Sequence, residues 1–247
     1  MGSLKGKTVM VTGTNRGLGR ELLISFAANG CNLIALSRHL DDDYLTFLEE
    51  LKKNNKVEVN SYCADLLDGT SLNEALKKIT RDNKQIDVLV NNAAIAFGAS
   101  FHMTSIDKLK EVLEVNFVAP VKIMQAISRQ MLRQKSGSII NIASVGGIET
   151  NPGYLAYGSS KAALIHASAI LSKEIGPQGV RVNCIAPGLF ETQMGHYKNE
   201  DELNKVISRT SLRRMGDINE IVEMALFLAS DKSSFITGQT IRVDGGR

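Results

Sequence analysis

Cysteine, long apolar runs and clustered charge are all scarce in these 247 residues, and each scarcity excludes something. The three cysteines, Cys31, Cys63 and Cys184, are odd in number, far apart and set in apolar stretches. That spacing offers neither a disulfide framework nor a metal-ligand set, and it suits buried thiols in a reducing compartment. No apolar run approaches the roughly 18–20 residues that a membrane-spanning helix needs. The opening Met-Gly-Ser-Leu-Lys-Gly-Lys lacks the apolar stretch of a secretory signal and the hydroxyl residue that N-myristoylation requires at position six. Net charge is only +3, tolerant of anionic ligands but without the basic cluster that nucleic acid demands. No linker rich in Pro, Gly or Ser, no repeat and no low-complexity segment interrupts the chain. A cytoplasmic, soluble protein that binds neither membrane nor nucleic acid is therefore expected. What is present, 43% hydrophobic and 22% charged residues, is ordinary for a chain that buries a sizeable core.

Short apolar runs alternate with longer amphipathic ones. Strands are expected at 8–12, 32–37, 57–62, 86–90, 138–143, 180–186 and 239–243, where β-branched residues are enriched and Gly, Asn or Asp flank the run. Helical patterns lie between them at about 17–28, 42–54, 68–82, 105–134, 155–176 and 217–229. Such alternation makes βαβ units, and their right-handed crossovers build a doubly wound, Rossmann-type parallel sheet of about seven strands with helices on both faces. One domain spanning 1–247 is the natural reading.

Two groups of residues carry chemistry. Directly after the first strand comes Thr12-Gly13-Thr14-Asn15-Arg16-Gly17-Leu18-Gly19, a Gly-rich turn entering a helix. Glycine allows a tight turn and close backbone approach, and the helix N-terminus offers free N–H groups and positive dipole to a pyrophosphate. Farther on, Tyr157 and Lys161 stand four residues apart, with Ser144 thirteen residues before Tyr157. Residues at i and i+4 share a helix face, so a phenol and an ammonium are placed side by side. A neighbouring cation favours the phenolate; lowering a phenol from about 10 by two to three units takes roughly 3–4 kcal/mol. The result would be an acid for a carbonyl being reduced or a base for an alcohol being oxidised. Alone, the pair is a common decoration of a solvated helix face.

The Gly spacing G-x-x-x-G-x-G, together with Ser144, Tyr157 and Lys161 in this order, resembles the classical short-chain dehydrogenase/reductase family over essentially the whole chain. The resemblance implies that Tyr157 is the proton donor, that Ser144 bonds the substrate oxygen, and that Lys161 lowers the Tyr157 pKa and binds the nicotinamide ribose. Asn116, in Glu-Val-Asn-Phe, matches the fourth catalytic position and would hold a water linking Lys161 to solvent. Gly13, Asn15, Arg16, Gly17, Leu18 and Gly19 would surround the pyrophosphate, Ser37 and Arg38 the adenosine ribose, Asp65 and Leu66 the adenine. Asn92 and Ala93 match the family's Asn-Asn-Ala-Gly, except that Ala94 replaces the final Gly and should crowd the cofactor slightly. Pro187, Gly188 and Thr192 match the segment that holds the nicotinamide amide. Plainer roles are open to several of these: Asp65 as a helix cap, Asn91 and Asn92 as turn formers, Asn116 as a polar residue bending its helix.

The end of the second strand, Ala35-Leu36-Ser37-Arg38-His39, has no acid to bond a ribose 2′-hydroxyl. Arg38 and Arg16 are instead suited to a 2′-phosphate, favouring NADP(H) over NAD(H). Asp41, Asp42 and Asp43 read as the cap and first turn of the next helix. Residues 189–216 are the least regular stretch and, by resemblance, form a lid over the substrate, with Met194, His196 and Tyr197 as candidate contacts. Within the family the chain is most similar to bacterial 3-oxoacyl-acyl carrier protein reductases, which implies an NADPH-dependent reductase of an acyl-thioester carbonyl, a homo-tetramer and docking of an acyl carrier protein. Of the two basic docking positions in that group, Lys135 keeps the charge and Gln178 does not. A reductase of a small ketone, keto-sugar or other secondary-metabolite carbonyl is the alternative. A non-catalytic NADPH-binding protein is a further one, against which the intact Ser144, Tyr157, Lys161 and Asn116 argue.

Overall fold

The computed structural model describes residues 4–190 and 200–247. Seven strands, β1 (Thr8–Thr12), β2 (Asn32–Ser37), β3 (Val59–Cys63), β4 (Val88–Asn91), β5 (Gly137–Ile142), β6 (Val180–Pro187) and β7 (Thr240–Val243), form one sheet in the order β3-β2-β1-β4-β5-β6-β7. Every pairing is parallel. The strand order reverses between β1 and β4, and a doubly wound sheet opens its ligand crevice outside the carboxyl ends of the strands at that point.

Helices cover both faces, and the strand side chains alternate between them. Val9, Val11, Val88, Val90 and Ile140 pack against α1 (Gly17–Ala28), α2 (Asp42–Asn55) and α8 (Ile218–Ala229). Met10, Ile34, Leu89 and Ile139 point the other way, onto α3 (Gly69–Asp82), α5 (Ala119–Gln134) and α6 (Leu155–Ile175). Burial on both sides is what a near-continuous apolar strand signals. Two further helices, α4 (Ile106–Leu113) and α7 (Glu200–Ile207), precede α5 and α8. No helix among the described residues is long and apolar enough to cross a membrane.

Three local expectations are corrected. The strand expected from Val57 starts at Val59, because Lys56 adopts a left-handed conformation that ends α2 and the Val57 N–H is spent on the Lys52 carbonyl. The helix expected over 105–134 is divided between α4 and α5 by a π-helical turn at Glu114–Val118, in which the Ala119 N–H reaches back to the Glu114 carbonyl. Pro120, in the first turn of α5, has no N–H for the carbonyl of Asn116 four residues before it, and its ring crowds that carbonyl out of the ladder. Cys31 and Cys184 are buried as expected, but Cys63 is exposed, since it ends the edge strand β3 at the open rim of the sheet.

Candidate active site

The turn from β1 into α1 is shaped by contacts too close for side chains. A Cβ on Gly13 would stand 2.8 Å from the Ala93 Cα, so the exits of β1 and β4 touch backbone to backbone. Gly19 faces the Gly13 carbonyl, and a Cβ there would also lie 2.7 Å from the Asn92 amide nitrogen. The Thr12 hydroxyl accepts from the N–H groups of Asn92 and Ala93, both at 3.0 Å. Asn92 Nδ2 donates to the carbonyls of Thr12 at 2.9 Å and Gly13 at 3.1 Å. Asn92 is thus more than a turn former; it pins two strand ends together at the switch point.

What this turn presents outward is unsatisfied. The helices α2, α3, α4 and α8 begin with side-chain caps from Asp41, Asp68, Ser105 and Asp217. The residue before α1 is Arg16, extended and without a side-chain cap, and the first turn holds no acid. Space in front of Gly17 is open. Free N–H groups, positive dipole and a guanidinium in one place fit a pyrophosphate, so the residues present suit the dinucleotide expected here. Leu18 anchors the turn on the core beneath. Asn15 Nδ2 and Ser37 Oγ both donate to the His39 carbonyl, at 2.9 and 3.0 Å, which ties this turn to the exit of β2. Arg38 is exposed there and donates from Nε to His39 Nε2 at 3.0 Å. Asp41 caps α2 through the Tyr44 N–H, with Asp42 and Asp43 in its first turn, so these acids serve the helix as expected. Asp65 is not the cap of α3, which is Asp68; the Asp65 carboxylate accepts from the Leu67 N–H at 3.0 Å in a local turn beyond β3. Leu66 packs partly buried against the core under α3 and α5.

The structure brings Ser144, Tyr157 and Lys161 together where β5 ends and α6 begins. Ser144 Oγ accepts from the Gly146 N–H at 3.1 Å and lies near enough to the Tyr157 phenol to favour its ionised form. Lys161 Nζ lies 5.8 Å from the Tyr157 ring centroid and donates to the Ile142 carbonyl at 2.8 Å. Lys161 is only 2% exposed. Burial lowers its pKa to about 8, opposed weakly by the nearby Cys184 thiol. The downward pull expected on Tyr157 is overturned: burial pushes the phenol up, and Ser144 only partly offsets it. Both groups lose water in the same enclosed site, and desolvation disfavours the charged form of each, the phenolate of Tyr157 and the ammonium of Lys161.

Asn116 sits in the π-helical turn, fully buried, and spends its whole amide on neighbours. Its Oδ1 accepts from the Ile95 N–H and its Nδ2 donates to the Ile95 carbonyl, both at 2.9 Å. Nδ2 also donates at 3.1 Å to Ser160 Oγ, which donates in turn to the Tyr157 carbonyl at 2.7 Å. Ser160 was not foreseen; its one signal is a small hydroxyl residue immediately before Lys161. On the far side, the Gly188 N–H donates to the Val243 carbonyl at 2.8 Å, and a Cβ on Gly188 would meet the Asp244 Cα at 2.7 Å, so Pro187 and Gly188 close tightly against the end of β7. Thr192, Met194, His196 and Tyr197 lie outside the described residues. A cleft of about 460 Å³ opens beside the site between Phe101 and the 146–154 segment, with Ile148, Glu149 and Asn151 in its wall.

Known proteins share this fold, and their sequences resemble this one over nearly its whole length. Residues 13–247 match the family described as enoyl-(acyl carrier protein) reductase. A 3-oxoacyl-[acyl-carrier-protein] reductase of Thermotoga maritima is 35% identical over 243 residues, 98% of each chain. The crystal structure of a 3-oxoacyl-[acyl-carrier protein] reductase from Brucella melitensis superposes with a TM-score of 0.90 at 28% identity, covering 99% of this chain and 92% of that one. NAD⁺-bound xylitol dehydrogenase superposes with a TM-score of 0.89 at 29% identity, covering 98% and 99%.

Proposed function

The chain belongs to the short-chain dehydrogenase/reductase family, and with it to the nicotinamide-dependent oxidoreductases of CH–OH and C=O groups; from this we propose that it is an NADPH-dependent reductase of 3-oxoacyl thioesters carried by an acyl carrier protein. The observation that carries the chemistry is the assembly of Ser144, Tyr157 and Lys161 at the same carboxyl-end side of the parallel sheet as the uncapped start of α1. The choice of substrate rests on the full-length relatives of that name.

When bound, the nicotinamide supplies the hydride to the carbonyl carbon. The protein's own residues do the rest. The first-turn N–H groups of α1 hold the pyrophosphate, and Arg16 before α1 and Arg38 after β2, both exposed, hold a 2′-phosphate. Asp65 and Leu66 border the adenine, and Pro187, Gly188 and Thr192 the nicotinamide amide. Ser144 accepts from Gly146, which leaves its O–H to donate toward a substrate oxygen. Tyr157, kept protonated by burial, gives its proton to that oxygen as negative charge develops on it. Lys161 binds the ribose hydroxyls and stabilises the phenolate left behind. Residues 189–216 act as the lid that excludes water. Lys135 ends α5, and Gly179 packs against its carbonyl, so Lys135 and Gln178 lie side by side on the surface as one half-charged docking point for an acidic carrier. The exposed Ile106, Ile170 and Phe235 suit contacts between copies in a homo-tetramer.

Gln178, uncharged at that docking point, together with the likeness to xylitol dehydrogenase, favours a second reading: a reductase of a small ketone or keto-sugar. Consumption of NADPH, with NADH in parallel, against a 3-oxoacyl thioester and a panel of small ketones and keto-sugars tests both. Thioester turnover with NADPH supports the first reading; turnover of a small carbonyl alone replaces it with the second; binding of NADPH with no turnover at all returns the protein to a non-catalytic role.

A further inference from the structure

Residues 242–247 meet three segments, one of which, around Glu149 and Asn151, lines the cleft. Arg242, in β7, donates from Nη2 to Glu149 Oε1 at 2.5 Å and from Nε to Asp244 Oδ2 at 2.7 Å, and its Nη2 also reaches the Arg247 carbonyl at 2.7 Å. Arg247 closes the circuit, with Nε 3.4 Å from Glu149 Oε2 and Nη2 donating to Asn151 Oδ1 at 3.2 Å. Both oxygens of Glu149 are thus held by two arginines more than ninety residues away. The same residues also hold the 211–212 segment: Ser211 bonds the Gly246 carbonyl through its N–H and its hydroxyl, and the Leu212 N–H donates to Gly245 O. Asp244 abuts Gly188. Glu149 and Asn151, gripped on one side by this tail, form part of the cleft wall on the other. The 148–153 segment in which they lie is irregular, with little apolar anchorage; Ile148 is 44% exposed.

We propose that Arg242 and Arg247 are positioning residues, which through Glu149 and Asn151 set the substrate-side wall of the cleft and couple it to the end of the 189–216 segment. The proposal rests on the reading that this cleft receives the substrate. The paired arginines hold a carboxylate from two directions, a networked geometry in which ion pairs act together rather than singly. Backbone bonds hold the two ends of this wall, from the Ile148 and Glu149 N–H groups to the Val145 carbonyl and from the Ala99 N–H to the Gly153 carbonyl. The clamp holds the side chains between, so opening it frees that stretch without disturbing the α1 turn or the Ser144–Tyr157–Lys161 group. The signature is a KM effect separated from kcat.

The test compares wild type with Glu149→Gln, Arg242→Ala and Arg242→Lys by amide hydrogen exchange, by KM and kcat on the best substrate found above, and by NADPH affinity. Glu149→Gln and Arg242→Ala should speed exchange across 148–153 about tenfold and raise KM about three- to tenfold, with kcat and NADPH affinity within about twofold of wild type. Arg242→Lys should recover most of the KM. Half-molar salt should raise the wild-type KM yet leave that of Glu149→Gln unmoved, since the clamp is partly open to screening. Unchanged exchange and KM in Glu149→Gln, or a fall of kcat and NADPH affinity together with KM, would overturn the proposal. If wild type reduces none of the carbonyls, the functional reading fails by itself, and exchange in 148–153 still decides whether the clamp exists.

Discussion

The β1–α1 turn and the 148–153 wall, proposed above for nucleotide and substrate, are held by opposite means. Around β1 and α1, backbone meets backbone: Gly13 against Ala93, Gly19 against Gly13, and Asn92 stitched to two carbonyls. Across the sheet, the 148–153 wall is held by Glu149, Arg242 and Arg247, whose side chains keep between 18% and 33% of their surface in water. A contact with no room for a methyl group tolerates no change, whereas an exposed ion pair can be exchanged for another at small cost. The first arrangement suits a ligand shared by a whole family and the second a substrate that differs among its members. Ser144, Tyr157 and Lys161 are positioned by neither, but by the end of β5 and the start of α6.

The comparison can be broken or sharpened by substitution. The largest effect is expected at the centre: Tyr157→Phe should reduce kcat about a thousandfold or more, as loss of a positioned acid does, while NADPH titration by fluorescence stays near the wild-type curve. Retention of substantial turnover would remove Tyr157 from the role of donor. On the rigid side, Gly19→Val collides with the Gly13 carbonyl and should weaken NADPH binding about a hundredfold or more and lower the melting temperature, because close-packed backbone cannot relax. Near-normal binding would show that the turn is softer than its contacts imply.

Lys161 gives an effect of intermediate size and a pH signature. Its value of about 8 in the folded protein lies below the ordinary value near 10.4. The unfolded chain therefore holds the extra proton between these values, so the cost of burying the ammonium is fully present below pH about 8 and fades as pH rises toward about 10.4. Lys161→Met should lower turnover about a hundredfold yet stabilise the fold by up to about 3 kcal/mol at pH 7, a gain that shrinks at pH 10. Urea melts at the two pH values check this, and an equal gain at both would refute the buried ammonium. In the wild type, kcat/KM for reduction should decline as pH rises through about 8. The smallest effect belongs to the exposed Arg38, where Arg38→Ala should cost about tenfold in NADPH affinity and little in NADH affinity, the loss of one charge-assisted contact. Equal losses for both cofactors would dismiss the 2′-phosphate assignment.

Legibility in the sequence followed the same division. The seven strands lie within two or three residues of the apolar runs; the five inner ones, buried on both faces, declare themselves by composition alone. Tyr157 and Lys161 were readable because four-residue spacing is a local geometric fact. The π-helical turn was not, although Pro120 stood in plain view, because Pro is welcome in the first turn of a helix and the reading had that helix start earlier. Ser160 and the Glu149–Arg242–Arg247 clamp were hidden for another reason. Their partners are 44 and 93 residues apart, and no periodicity records which loops the topology will bring together. The direction of the Tyr157 shift was misjudged because a sequence shows neighbouring charge but not the loss of water around it.

The π-helical turn carries one surplus residue between α4 and α5, and an α-helix advances about 100° with each residue. Glu114–Val118 therefore works as a phase shift: it lets α4 turn Val112 into the interior and α5 turn Ile123 and Ile127 onto the sheet, in a register that no unbroken helix through both would satisfy. Removing a single residue there would restore an even winding and, in the same stroke, rotate everything before it by more than a quarter turn, parting Asn116 from Ile95. The active site is thus indexed to a one-residue insertion, and this stretch should tolerate changes of letter far better than changes of length.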